Sequence, residues 1–136
     1  MPVLPGAATA TEIQRARRAG LRVVKLFPAE TLGGVNALDA LSAPFPDMRF
    51  IPTGGISPGN LQPYLARSAV LAAGGSWMVP RQLIADRDWA QVTRLARDAA
   101  RLAAQSGPPP QIPAPLATGS PGQGVQPAPR RRSQAS

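Results

Sequence analysis

Apolar positions recur with two different periods along the first hundred residues. Thr9 followed by Glu12 has the form of a capping box and predicts a helix to about Ala19, with Gly20 in the C′ position. Residues 22–27 then form a near-continuous apolar run, the pattern of a buried parallel strand, which Pro28 stops. Gly33 and Gly34 loosen the chain before a short helix with Val35, Leu38 and Leu41 at helical spacing, ended by Pro44 and Pro46. Residues 48–52 read as the next strand. Asn60 is placed to cap a helix with Pro63 in its first turn, where the missing donor does no harm. Ala69 to Ala73 read as a third strand. Asp88 caps a last helix with Trp89, Val92, Leu95, Ala99 and Leu102 along one face. Strand alternating with helix implies an α/β class, a parallel sheet with right-handed crossovers.

From Gln105 the pattern stops. Residues 106–136 hold eight of the 17 prolines and no acidic residue. That composition reads as a disordered, basic tail, and divides the chain into a folded part, 1–104, and a tail, 105–136. Pro108-Pro109-Pro110 has the form of a polyproline ligand, although a spacer fits the segment as well. At 136 residues the chain is one domain, whereas a closed (β/α)8 barrel takes about 250. If its strands belong to such a barrel, they are half of one. Inward residues such as Val23 and Phe27 then lack an opposing layer, and the half on its own is expected to associate with itself.

Composition narrows the chemistry. Cysteine and histidine are both absent, which removes disulfides, thiolate metal sites and imidazole as ligand or base. No apolar run is long enough to cross a membrane, and no leader peptide is apparent after Met1, so a cytoplasmic protein without membrane partners is the expectation. The net charge is +8, with three charges from Arg130, Arg131 and Arg132. Arginines scattered over two helices and an aromatic content of only 4% argue against a nucleic-acid surface.

Of the 15 basic residues only one, Lys25, is lysine, and it lies within the run Val23-Val24-Lys25-Leu26-Phe27. An ammonium in such a strand either snorkels to water or is used, because a desolvated lysine amine is a nucleophile toward carbonyls. Strand alternation puts Val23, Lys25 and Phe27 on one face and Val24 and Leu26 on the other. Two glycine-rich segments follow strand ends: Thr53-Gly54-Gly55 and Gly74-Gly75-Ser76. Such loops are ordinary turns, or they aim consecutive N–H groups at an anion.

Four segments in order decide between these readings. Val24-Lys25-Leu26-Phe27-Pro28-Ala29-Glu30 resembles the Schiff-base lysine motif of the 2-keto-3-deoxy-6-phosphogluconate and 4-hydroxy-2-oxoglutarate aldolase family. Leu4-Pro5-Gly6 with Thr9-Ala10-Thr11-Glu12-Ile13 resembles its PG…TxxEI segment. Phe50-Ile51-Pro52-Thr53-Gly54-Gly55-Ile56 resembles its PTGGI loop, and Gly74-Gly75-Ser76-Trp77-Met78 its GGSW loop. The resemblance runs from about Pro2 to Ala104 and implies the C-terminal half of a (β/α)8 barrel.

The resemblance implies a class I aldolase, a carbon–carbon lyase with no cofactor and no metal. Lys25 would form the imine with the C2 carbonyl of a phosphorylated 2-keto acid, and Phe27 would pack beside it or serve as core. Thr53 would contact the keto-acid end. Gly54, Gly55, Gly75 and Ser76 would hold the distal phosphate, and Pro5 would turn the chain at the site's edge. A homotrimer is implied once the barrel is complete. The family's general-base glutamate and a substrate-binding arginine lie in a segment N-terminal to the match. Glu30 has no base role in the family and, at a strand end, is expected in a surface or subunit ion pair. Two rivals stand beside this reading. One is an inactive fragment that binds phosphate or assembles with the missing half. The other is a phosphate-binding barrel of different chemistry, such as an isomerase.

Overall fold

A computed structural model describes residues 3–114. Its elements in order are β1 (Gly6–Ala7), α1 (Ala10–Arg18), β2 (Val23–Leu26), α2 (Gly34–Ser42), β3 (Arg49–Pro52), α3 (Leu61–Leu65), α4 (Arg81–Ala85) and α5 (Trp89–Ala104). The strands form a parallel sheet in the order β1-β2-β3, with Gly6 opposite Lys25 and Lys25 opposite Ile51. This is the strand–helix alternation of a (β/α)8 barrel, with the described residues supplying part of the ring.

Local signals placed the helices well. At α1 the Thr9 hydroxyl accepts from the Glu12 N–H at 3.3 Å, while Glu12 Oε2 accepts from the N–H groups of Thr9 at 3.0 Å and Ala8 at 2.8 Å. These bonds, that from Ala8 foremost, hold the Glu12 carboxyl below its ordinary pKa. Gly20 follows with φ +83°. At α5 the Asp88 side chain accepts from the Gln91 N–H at 2.9 Å.

Four expectations are corrected. Pro5-Gly6 is not a free turn: Gly6–Ala7 is a short strand, because Lys25 N–H donates to the Pro5 carbonyl (2.8 Å) and Phe27 N–H to that of Ala7 (3.2 Å). The third strand shrinks to two parallel bridges, Phe50 with Val70 and Thr53 with Gly74. Three steps along β3 oppose four along 70–74, and the extra residue breaks the ladder as a bulge does. Asn60 precedes α3 but does not cap it with its side chain. Its Oδ1 accepts from Ser57 N–H at 2.7 Å, and its Nδ2 donates to the Gly55 carbonyl at 3.0 Å. Trp89 leaves the apolar stripe of α5 and is 57% exposed in the first turn, whereas Ala99 is buried.

The core lies on one side of the sheet. Val24, Leu26 and Phe50 are fully buried against Ile13 and Ala16 of α1, Leu38 of α2, and Leu61 and Tyr64 of α3. The opposite face carries Val23, Lys25, Ile51 and Thr53, all half-buried. Period-2 alternation thus assigns the even positions of β2 to the helices and the odd ones to the open face. Beneath the strands' N-terminal ends, Asp47 lies 2.8 Å from Arg17 Nε and 3.8 Å from the buried Arg22. The Arg17 hydrogen bond holds the Asp47 carboxyl below its ordinary pKa.

Candidate functional site

The sheet brings Lys25, Phe27, Thr53, Gly54, Gly55, Gly75 and Ser76 to the C-terminal ends of the strands, whereas Pro5 precedes β1. Lys25 is third in β2. Its ammonium stands 5.8 Å from the centroid of the Phe27 ring, within cation–π range. Among the described residues it forms no ion pair and no hydrogen bond. Phe27 is not core: it is 52% exposed on the same face as Lys25. Pro5 lies one strand away, with its carbonyl bound by the Lys25 N–H.

Beyond Pro28 the chain stitches this strand to the next loop. Ala29 N–H donates to the Thr53 carbonyl at 2.8 Å and Glu30 N–H to that of Gly54 at 3.1 Å. Gly54 and Gly55 have φ values of +95° and +80°, a left-handed pair that side chains resist. A Cβ on Gly55 would lie 2.6 Å from Glu30 Cβ and Cγ. The bridge from Thr53 to Gly74 sets the second glycine loop beside the first. It packs closely: a Cβ on Gly74 would lie 2.6 Å from Thr53 Oγ1, and one on Gly75 would overlap the Trp77 ring. Among the described residues the N–H groups of Gly54, Gly55, Gly75 and Ser76 have no backbone partner, and Ser76 is exposed. The structure thus collects an amine, an aromatic face, four N–H groups without a backbone partner, and the Thr53 hydroxyl, which donates to the Ile51 carbonyl at 3.3 Å.

The sequence did not single out Tyr64. Its buried hydroxyl donates to Glu30 Oε1 at 2.5 Å, so Glu30 is tied to α3 rather than paired with a cation as expected. Burial, and then the Glu30 carboxylate, push the Tyr64 hydroxyl pKa well upward. Tyr64 is the only tyrosine of the chain, the one signal that pointed to it. Among the described residues no three His, Cys, Asp or Glu side chains are placed to hold a metal ion, and no helix is long and apolar enough to cross a membrane.

Parallel strands alternating with helices, with an amine and two glycine loops at the strands' C-terminal ends, define a protein of the α/β-barrel class. The family model for KDPG and KHG aldolases matches residues 1–95, and the chain belongs to that family. The 2-dehydro-3-deoxy-phosphogluconate aldolase of Pseudomonas aeruginosa is 56% identical over 99 residues, covering 73% of this chain and 45% of that protein. A KDPG aldolase from Legionella pneumophila, solved with pyruvate captured as a covalent carbinolamine, superposes with a TM-score of 0.70 at 37% identity. That match covers 73% of this chain and 48% of the other. The aldolase of Zymomonas mobilis, solved with 3-phosphoglycerate, gives a TM-score of 0.65 at 37% identity, over 82% and 49% of the two chains. The chain therefore spans about half the length of the relatives it matches.

Proposed function

We propose that this chain carries the Schiff-base half of an aldolase that cleaves 2-keto-3-deoxy-6-phosphogluconate to pyruvate and glyceraldehyde 3-phosphate. 4-Hydroxy-2-oxoglutarate, which shares the pyruvate end, is a second substrate. The observation that carries the reading is Lys25, unpaired on the open face, beside two glycine loops with free N–H groups. The Legionella neighbour's covalent carbinolamine is the species such an amine forms with a keto acid.

In this mechanism Lys25 Nζ adds to the C2 carbonyl, and loss of water leaves a protonated imine. The imine draws the electron pair of the C3–C4 bond as the C4 hydroxyl loses its proton, and the aldehyde departs. The enamine takes a proton at C3, and hydrolysis returns pyruvate and free Lys25. Phe27 walls the imine, and Thr53, whose hydroxyl donates to the Ile51 carbonyl at 3.3 Å, contacts the keto-acid end. Gly54, Gly55, Gly75 and Ser76 grip the distal phosphate through their N–H groups, and Pro5 holds Lys25 in register. Glu30 is engaged by Tyr64 and has no base role on this reading. The working assembly on this reading is a homo-oligomer in the cytoplasm.

The test is borohydride reduction in the presence of pyruvate, followed by mass spectrometry of the Lys25 peptide. A reduced pyruvate adduct on Lys25, abolished in Lys25→Arg, is expected. Absence of the adduct, even when the N-terminal half of a relative is supplied, overturns the assignment. One observation favours a second reading, phosphate binding without turnover: the face around Lys25 is open, with Phe27 half in solvent. Phosphate affinity without an adduct would select it.

A further inference from the structure

A trans peptide unit points its carbonyl and its N–H in opposite directions, so a carbonyl tied on one side fixes where the next residue's N–H looks. Three consecutive carbonyls of the first glycine loop are tied in this way. Thr53 accepts from the Ala29 N–H at 2.8 Å and Gly54 from the Glu30 N–H at 3.1 Å. Gly55 accepts from Nδ2 of Asn60 at 3.0 Å. The N–H groups that face the other way, on Gly54, Gly55 and Ile56, have no backbone partner among the described residues. The first two ties lie on the β2 side. The N–H groups of Gly54 and Gly55 therefore turn to the other side, where the Gly74 N–H donates to the Pro52 carbonyl at 2.9 Å and the second glycine loop begins.

Of the three ties, the one to Gly55 is made by a side chain. The peptide unit after Gly55 follows a glycine, which leaves it free to rotate unless something holds it. Asn60 is itself held in the orientation that does so: its Oδ1 accepts from the Ser57 N–H at 2.7 Å while its Nδ2 faces the Gly55 carbonyl. A backbone N–H can only donate and a carbonyl can only accept. The position therefore calls for one acceptor and one donor on a short side chain, which an amide supplies and an ionised carboxylate does not. The same two bonds leave α3 without a side-chain cap.

We propose that Asn60 is a positioning residue for anion binding. Through the Gly55 carbonyl it holds the Gly55–Ile56 peptide unit, so that the Ile56 N–H stands as a further donor beside those of Gly54 and Gly55. This role rests on the phosphate reading of the glycine loops under the proposed function. Asn60 acts through the loop and not on the reacting carbon, so its loss weakens the grip on phosphate and leaves imine formation at Lys25 unchanged.

Asn60→Asp keeps the oxygen that faces Ser57 and loses the donor that faces Gly55. Calorimetry of the full chain with inorganic phosphate is expected to show roughly tenfold weaker binding, the scale of one lost hydrogen bond, while borohydride trapping of pyruvate on Lys25 stays at its unsubstituted extent. The deficit is expected to close as pH falls toward the ordinary aspartate pKa of about 4, where a protonated carboxyl again donates to the Gly55 carbonyl. Unchanged phosphate affinity overturns the role. So does a parallel loss of phosphate binding and pyruvate trapping, which a merely structural residue would give. If Asn60→Asp does not fold, Asn60→Ala is decided by the same two measurements, with a phosphate deficit that acid does not repair. An unsubstituted chain that traps pyruvate and binds no phosphate overturns the phosphate reading of the loops, and the Asn60 role with it.

Discussion

Removing one oxygen from Tyr64 tests how the loop after Lys25 is held. In Tyr64→Phe the ring stays in its fully buried place, and no donor is left without a partner. What is lost is a 2.5 Å hydrogen bond to the Glu30 carboxylate. Hydrogen bonds to charged groups contribute about 1.5–3 kcal/mol, and Glu30 is exposed enough for water to replace the hydroxyl, which puts the cost near the lower bound. About 1.5 kcal/mol corresponds to roughly 6–12 °C in Tm for a domain of this size. Urea unfolding followed by tryptophan fluorescence measures it, and the same substitution made in Glu30→Ala should then cost almost nothing. The pH dependence carries a sign. The raised Tyr64 pKa means the native state holds that proton more tightly, so its contribution is complete below the ordinary tyrosine pKa of about 10 and is lost as pH rises beyond it. Tyr64→Phe should lack that part of the alkaline loss. A stability change below about 0.5 kcal/mol, with an unaltered alkaline limb, would refute the claim that this bond anchors Glu30.

Thr9→Ala removes the α1 cap and is expected to cost about 1 kcal/mol in urea unfolding, since the Glu12 half of the box remains. Gly74→Ala drives a methyl to 2.6 Å from Thr53 Oγ1; phosphate affinity by calorimetry and pyruvate trapping should both fall while Lys25 itself is untouched. Asp47 and Glu12 have lowered native pKa values, so their stabilisation is present above about pH 4 and is lost as pH falls through those values. Asp47→Asn should flatten the acid limb of a pH–stability curve.

The parts legible in the sequence are those fixed by neighbours in the chain. The Thr9–Glu12 box, the Asp88 cap and the alternation of β2 each need only a few consecutive residues, and the structure shows all three. The two-residue β1 exists because Lys25 and Phe27 donate to it across the sheet, a contact no local pattern encodes. The 69–73 run has strand composition, yet the extra residue opposite β3 reduces it to two bridges. Asn60 has capping chemistry, but a nearer loop takes its side chain. α4 (Arg81–Ala85) buries none of its residues and left no apolar period to read. At the site, Lys25, Thr53 and the glycine loops carried a signal because their residue types are unusual where they stand. Tyr64 and Glu30 meet 34 positions apart, and only the fold introduces them. Arg130, Arg131 and Arg132, with the rest of 115–136, lie outside the described residues.

The two faces of β2 and β3 divide labour by parity. Val24, Leu26 and Phe50 answer to the helices, whereas Val23, Lys25, Phe27, Ile51 and Thr53 answer to whatever enters from the other side. A mutation at one set leaves the other's neighbours in place. Such a sheet can explore new reactivity at odd-numbered positions without gambling its foldability, so evolvability here is a matter of which way a side chain faces.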